Sequence, residues 1–314
     1  MARYLDPKSD LIFKRIFGEH PDLLINFLNA LMPFEPGRQI VEVEYLSPEL
    51  VPENPGKKYS IVDVRCRDNY NRQFIIEMQM FWTEAFYNRV VFNAGKAYVR
   101  QLDRNENFNL LQPVYTLAIL NQNFDHKTEK FYHHYQIVNR ENTNEIIPGL
   151  EFVLVELMKF NPEKMADRKL AILWLRFLKE VGEDMKRLPI EMQENEYISK
   201  AAELCEEAAF TDGELYAYDK YWDDVRVEKT LREASLVEGR AEGRAEGRAE
   251  GRAEGRVEGR VEGRVEGRVE GETIALERIV VEGSRNGFSL EQIQSFTKLS
   301  PEQINEILKR HGLS

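Results

Sequence analysis

Apolar residues recur at helical spacing through residues 9–31, where Leu11, Ile12, Ile16, Phe17, Leu23, Leu24, Phe27 and Leu28 line one side and Pro33 stops the run. This predicts an opening helical segment. The pattern then shortens. Runs rich in β-branched and aromatic residues at 39–46, 59–66, 72–80 and 113–121 predict strands, with a helix near 83–103 between the third and fourth. Strand-like runs follow at 131–138 and 151–158, and residues 165–231 return to helix through Leu170, Ile172, Leu173, Leu175, Phe177 and Leu178. An antiparallel hairpin followed by a helix and a further strand predicts an α/β fold, a mixed β-sheet flanked by helices.

Two strand-like runs carry acidic groups where apolar residues are expected. Asp63 lies in Tyr59-Ser-Ile-Val-Asp-Val-Arg-Cys66, and Glu77 and Gln79 lie in Phe74-Ile-Ile-Glu-Met-Gln-Met80. A carboxylate in such a strand loses solvation unless something compensates it, and a divalent cation is one compensator. Turn residues Asp68-Asn-Tyr-Asn71 between the runs predict a hairpin. Alternation sets Ile75, Glu77 and Gln79 on one face. Asp63 joins them only if cross-strand pairs sum to 140, which requires an odd-length loop such as Asn69-Tyr70-Asn71. An even loop pairs Asp63 with Ile76 and sends it to the other face. We expect the odd loop, with Asn71 in the left-handed conformation that asparagine tolerates. The plain alternative for Asp63 is a solvated edge-strand carboxylate or an ion pair with Arg65 or Arg72. For Gln79 it is a half-buried strand amide.

Residues 238–269 repeat Glu-Gly-Arg-Ala four times and Glu-Gly-Arg-Val four times, and the repeat closes with Glu270-Gly-Glu272. On an α-helix each unit advances about 40°, so every residue type forms a slow spiral. The period exceeds that of right-handed eleven-residue coiled coils, so an assembly following the spiral winds right-handed. Eight interior glycines disfavour the helix by roughly 8 kcal/mol relative to alanine. Residues four apart are like-charged, so a lone helix gains no internal ion pairs. Two readings stand together: a homo-oligomerisation segment through residues 238–271, and a flexible or partly helical spacer. Beyond it, residues 272–314 predict three short helices. Ser289-Leu-Glu-Gln292 and Ser300-Pro-Glu-Gln303 are capping-box patterns, spaced as in a helix-turn-helix. The second helix opens with Glu302, Asn305 and Glu306, and its basic Lys309 and Arg310 come late, which favours a packing or partner module over DNA reading.

Composition narrows the classes. The 314 residues are 42% hydrophobic, enough for one sizeable domain with appendages. The N-terminus lacks an apolar leader, and the longest apolar stretch, around Leu23 to Met32, is too short to cross a bilayer, so no membrane role and a cytoplasmic location are expected. Cys66 and Cys205 have no thiol neighbours in sequence, which argues against a disulfide framework or thiolate metal site. The net charge of −11 weighs against nucleic-acid binding unless positive charge is gathered locally. Arg89, Lys96 and Arg100 recur at i, i+7 and i+11 on one face of the helix after the hairpin; they make a phosphate-binding stripe or a solvated face. His133 and His134 are adjacent and point to opposite strand faces, so a paired metal site there is not expected.

These residues resemble the PD-(D/E)XK nuclease superfamily, specifically its recombination-promoting nuclease, or transposase-like, family, whose strand motif ends in Glu-x-Gln. Asp10-Leu-Ile-Phe-Lys-Arg-Ile-Phe-Gly18 is similar to that family's opening block. Arg89, Gly95, Tyr98 and Gln101 resemble its third block, and Pro113-Val-Tyr-Thr-Leu-Ala-Ile-Leu120 its next core strand; together these cover about residues 5–160. Two departures from the superfamily stand out: Val62 in place of the motif proline, and Gln79 in place of its lysine. The resemblance implies a restriction-endonuclease-like core with a helical C-terminal extension. Together with the patterns along the chain, this gives a nuclease domain at 1–231, with its core about 5–160 and a helical part about 165–231, then the repeat at 232–272 and a helix-turn-helix-like tail at 273–314. Asp63 and Glu77 are implied metal ligands, with the Met78 backbone carbonyl a third and Asp10 a further candidate. Gln79 completes the catalytic set by hydrogen bonding to water or phosphate. Lys14, Arg89, Lys96 and Arg100 are candidate DNA contacts. Capping for Asp10 and a solvated charge for Lys14 are the alternatives. The expected cofactor is Mg²⁺ or Mn²⁺. The implied activity is a metal-dependent DNA endonuclease linked to recombination or transposition. The competing reading is a catalytically silent nuclease-fold protein that binds DNA or protein and is multimerised by the repeat.

Overall fold

The computed structural model describes residues 3–50, 58–103, 105–162 and 169–313. Two compact units divide them, Met1–Glu228 and Lys229–Ser314.

In the first unit the opening helical segment is two helices, α1 (Asp10–Glu19) and α2 (Pro21–Leu31), because Pro21 starts a new helix directly after His20. Ser9 caps α1 by accepting the Ile12 N–H, so Asp10 is free of the capping role. The strands are β1 (Val43–Tyr45), β2 (Glu49–Leu50), β3 (Ser60–Ile61), β4 (Val64–Asp68), β5 (Gln73–Gln79), β6 (Val114–Leu120), β7 (Tyr132–Val138) and β8 (Ile146–Glu156). Six make one mixed sheet in the order β1-β4-β5-β6-β8-β7, in which β5, β6 and β8 run parallel and the remaining pairs antiparallel. Helix α3 (Glu84–Val99) carries the chain from β5 to β6. Its Phe86, Val90, Ala94 and Ala97 pack on Ile75, Val114, Ala118, Leu120 and Leu154. The opposite face, through Phe74, Ile76, Leu117, Ile119, Val153 and Val155, packs on α1, α2 and α4 (Lys169–Glu180). Phe17, Phe27 and Trp174 meet at its centre. The short helices α5 (Ile190–Gln193) and α6 (Glu196–Glu203) add Met192 and Ile198 to this core.

The expected strand over 59–66 is broken. Residues 60–61 pair with β2, and the Val62 N–H turns to the Pro48 carbonyl, so the pairing of β4 begins only at Val64. The hairpin register itself is the expected one. Val64 faces Ile76 and Arg67 faces Gln73, pairs that sum to 140, and Asn71 holds φ 61°.

Helix α7 (Asp212–Arg285) runs through the whole repeat. The first of the three short helices expected in the tail is therefore the end of α7, leaving α8 (Leu290–Thr297) and α9 (Pro301–Arg310). Both capping boxes form, on Ser289 with Gln292 and on Ser300 with Gln303. Val280, Ile293, Ile304, Ile307 and Leu308 make the core of the second unit. Among the described residues no helix is long and apolar enough to cross a membrane.

Candidate functional site

The broken strand determines how Asp63 is held. In the hairpin, Asp68 N–H donates to the Arg72 carbonyl, so the hydrogen-bonded pairs are 68/72, 66/74 and 64/76, and the next would be 62/78. Val62 has left that position. The Met78 N–H, with no carbonyl opposite it, donates instead to Asp63 Oδ2 at 2.7 Å. By the same alternation the Met78 carbonyl also faces the edge that Val62 leaves. Asp63 thus sits beside β5 next to Glu77. The ion pairs of the plain alternative do not form among the described residues: Arg72 binds Asp68 at 2.6 Å and Arg65 donates to Gln73.

Burial raises the Asp63 carboxyl to about 7 against the lowering hydrogen bond from Met78, and the neighbouring charges of Glu77 and Asp10 add to the rise. Glu77 is 5% exposed, and burial raises it too, opposed by Arg89 and by a hydrogen bond from Asn93. Asp10 lies close enough to Asp63 to act on it, and it holds Lys14 at 2.8 Å. Asp63, Glu77 and Asp10 are oxygen donors of the kind that suits a hard divalent cation, but among the described residues only Asp125, His133 and Glu156 bring three potential ligand atoms within 4.8 Å of one another. Asp63, Glu77, Asp10 and the Met78 carbonyl are the residues that could hold such a cation, and a cation there would favour the charged forms of the two raised carboxyls.

Two further residues belong here that sequence reasoning did not single out. Asn93 is 1% exposed; its Nδ2 donates to Glu77 Oε1 at 3.1 Å and its Oδ1 accepts the Ser60 hydroxyl at 2.6 Å. It follows Arg89 by one helical turn, the only trace it leaves in the sequence. Tyr221, near the start of α7, donates its hydroxyl to the Lys8 carbonyl at 3.5 Å and is raised by burial and by the charges of Asp10 and Asp63, within whose electrostatic reach it lies. No local pattern links it to residues so distant in the chain.

The expected phosphate contacts differ in availability. Arg89 donates to Gln79 Oε1 and lies 3.6 Å from Glu77 Oε2, while Gln79 Nε2 donates to the Phe81 carbonyl at 2.8 Å. Lys96 points elsewhere, to the carbonyls of Leu50 and Lys58 at 2.7 and 2.8 Å. Lys14 is paired with Asp10. Arg100 caps the C-terminus of α3 through its backbone N–H and is exposed.

A second group, Asp125, His133 and Glu156, brings three potential ligand atoms within 4.8 Å of one another. It already contains a cation. Lys159 Nζ lies 3.0 Å from Glu156 Oε1 and also donates to the Asp125 and Thr128 carbonyls, while the other Glu156 oxygen accepts the Phe124 and Asp125 N–H groups. His134 pairs with Glu151, away from His133, as the alternation of adjacent strand residues requires. Cys66 and Cys205 are free, buried thiols, and burial raises both.

A mixed sheet between helical layers, with acidic side chains gathered at the carboxyl end of β5 and the edge of a broken β4, is the architecture of a PD-(D/E)XK nuclease fold. The family model for PD-(D/E)XK nuclease family transposases matches residues 7–229, and the chain belongs to that family. No curated protein and no solved structure matches it.

Proposed function

We propose that this protein is a divalent-metal-dependent DNA endonuclease that hydrolyses phosphodiester bonds, acting in the cytoplasm in recombination or transposition. The observation that carries this reading is Asp63, fixed by the Met78 N–H at the displaced edge of β4 and within electrostatic reach of Glu77 and Asp10. Mg²⁺ or Mn²⁺ suits the all-oxygen donors, and when bound it supplies an acidified water and neutralises charge on the phosphate. The chain's own residues divide the remaining work. Asp63 and Glu77 hold negative charge in fixed places, and Asn93 orients Glu77. Gln79 and Arg89 stand on the exposed side, where the DNA backbone enters. In the reaction the water oxygen forms a bond to phosphorus and one ester P–O bond breaks. The electron pair of that bond stays on the leaving oxygen. The water releases a proton to solvent and the leaving oxygen takes one up.

We read the chain as a nuclease domain over 1–231, the repeat helix over 232–272, which joins copies through residues 238–271, and a packing tail over 273–314. The competing reading, a nuclease fold that binds without cutting, is favoured by the pairing of Lys14 with Asp10 and of Lys96 with two carbonyls, which engages two of the four expected DNA contacts within the chain. The deciding experiment is cleavage of plasmid and linear DNA with Mg²⁺, Mn²⁺ or chelator, comparing the parent with Asp63→Ala and Glu77→Ala. Metal-dependent cutting lost in both folded variants supports the nuclease. Cutting unchanged in both rejects this site, and no cutting by the parent favours the silent reading.

A further inference from the structure

The motif lysine is absent, and its position holds an amide that neither carries charge nor accepts a proton. The structure shows what that amide does instead. Gln79 Nε2 is committed to the Phe81 carbonyl, and this turns Oε1 toward α3, where it accepts Arg89. The guanidinium is held in that corner by three contacts: Gln79 Oε1, Glu77 Oε2 at 3.6 Å and the Phe86 ring, 5.0 Å below its central carbon. The Arg89 side chain remains 48% exposed, so part of its donor fork faces solvent beside Glu77. Guanidinium donors match the paired oxygens of a phosphate.

We infer that Arg89 supplies the positive charge the motif lacks. It binds the non-bridging oxygens of the scissile phosphate and stabilises the charge that builds there, with Gln79 as the residue that positions it. This rests on the nuclease reading above. It also explains why glutamine serves at position 79: a lysine there would repel the guanidinium, whereas the amide oxygen anchors it.

The test is single-turnover cleavage of a fluorescein-labelled duplex by the full chain with Mg²⁺, at enzyme concentrations that saturate the DNA. Arg89→Ala should lower the saturated rate by about a hundredfold or more, the scale seen when one charge-stabilising donor is removed, with a much smaller change in half-saturating concentration. Millimolar guanidinium ion should restore part of that rate and none of the rate of Asp63→Ala. Gln79→Ala should lose less, and the double variant should be no slower than Arg89→Ala, because a residue that acts through another adds nothing once its partner is gone. Gln79→Lys in the Arg89→Ala background should recover about tenfold by returning a cation to the corner. Three results would each overturn the inference: a saturated rate for Arg89→Ala within about twofold of the parent, a loss confined to DNA affinity, or Gln79 and Arg89 losses that multiply. In all three the parent still cuts and Asp63→Ala does not. A parent chain that never cuts brings down the nuclease reading itself, and this inference with it.

Discussion

Asp63 Oδ2 accepts the Met78 N–H at 2.7 Å, in the place a Val62 carbonyl would hold if β4 continued. One side chain therefore completes a backbone ladder and presents negative charge at the same point. The two roles separate by substitution. Asp63→Ala leaves a buried N–H without an acceptor and should cost about 1–3 kcal/mol in denaturant unfolding. Asp63→Asn keeps an acceptor oxygen and should stay near the parent. Both should lose the thermal shift that Mg²⁺ gives the parent.

The raised carboxyl of Asp63 makes metal-free stability depend on pH. Its folded value of about 7 lies above the ordinary 3.8, so the folded chain holds a proton that the unfolded chain releases. Stability should fall as pH rises from about 4 to 7, by at most about 1.4 kcal/mol per pH unit from this group. Glu77, raised by burial as well, adds to the same direction. Asp63→Asn should flatten the fall, and saturating Mg²⁺ should abolish it, as read by urea unfolding at pH 5 and pH 8.

Asn93 joins Glu77 to Ser60 in the buried layer between β5 and α3. Asn93→Leu fills a similar volume and releases Glu77 from its orienting bond. Mg²⁺ affinity, read from the metal dependence of the melting temperature, should weaken by about ten- to a hundredfold, as when other supporting partners of metal ligands are lost.

The hairpin register depends on Asn71, whose φ of 61° only glycine and a few polar residues accept readily. Asn71→Gly should unfold within about 0.5 kcal/mol of the parent, and Asn71→Val should lose about 1–2 kcal/mol.

The repeat offers its own test. Glu and Arg fall two residues apart throughout it. The ion pair Arg268–Glu272, at 2.9 Å, forms only where Glu270-Gly-Glu272 breaks the period. The other charges of residues 238–267 form no ion pair within the described chain and are open to a second copy. Deleting residues 238–271 should reduce the mass measured by light scattering to that of a monomer, and an unchanged oligomeric state would reject the assembly. Because each unit turns about 40° on the helix, a partner must wind right-handed to stay on one stripe.

Much of the fold was legible because its signals are local. The apolar periods located the strands and both helical layers, and the turn residues Asn69-Tyr70-Asn71 led to the right register. The capping boxes on Ser289 and Ser300 are short-range chemistry and formed as written. One apolar period runs through both helices of the opening segment and hides their boundary, which Pro21 alone marks. The break at Val62 could not be read, because it depends on whether 60–61 pair with β5 or with β2, a competition between partners distant in the chain.

Residue identity and alternation alone therefore set Glu77 and Gln79 on one face of β5 and gave the hairpin its register, since strand period and turn length are properties of adjacent residues, whereas Asp63 lies just before β4 and outside that alternation. Only the tertiary structure decided what each does. The loss of Val62 from the ladder gives Asp63 the Met78 N–H, Asn93 reaches Glu77 from α3, and Gln79 holds the Arg89 that also lies against Glu77. Those partners are chosen by buried donors and acceptors finding one another across elements, and a buried polar group must be satisfied wherever the chain happens to bring its partner.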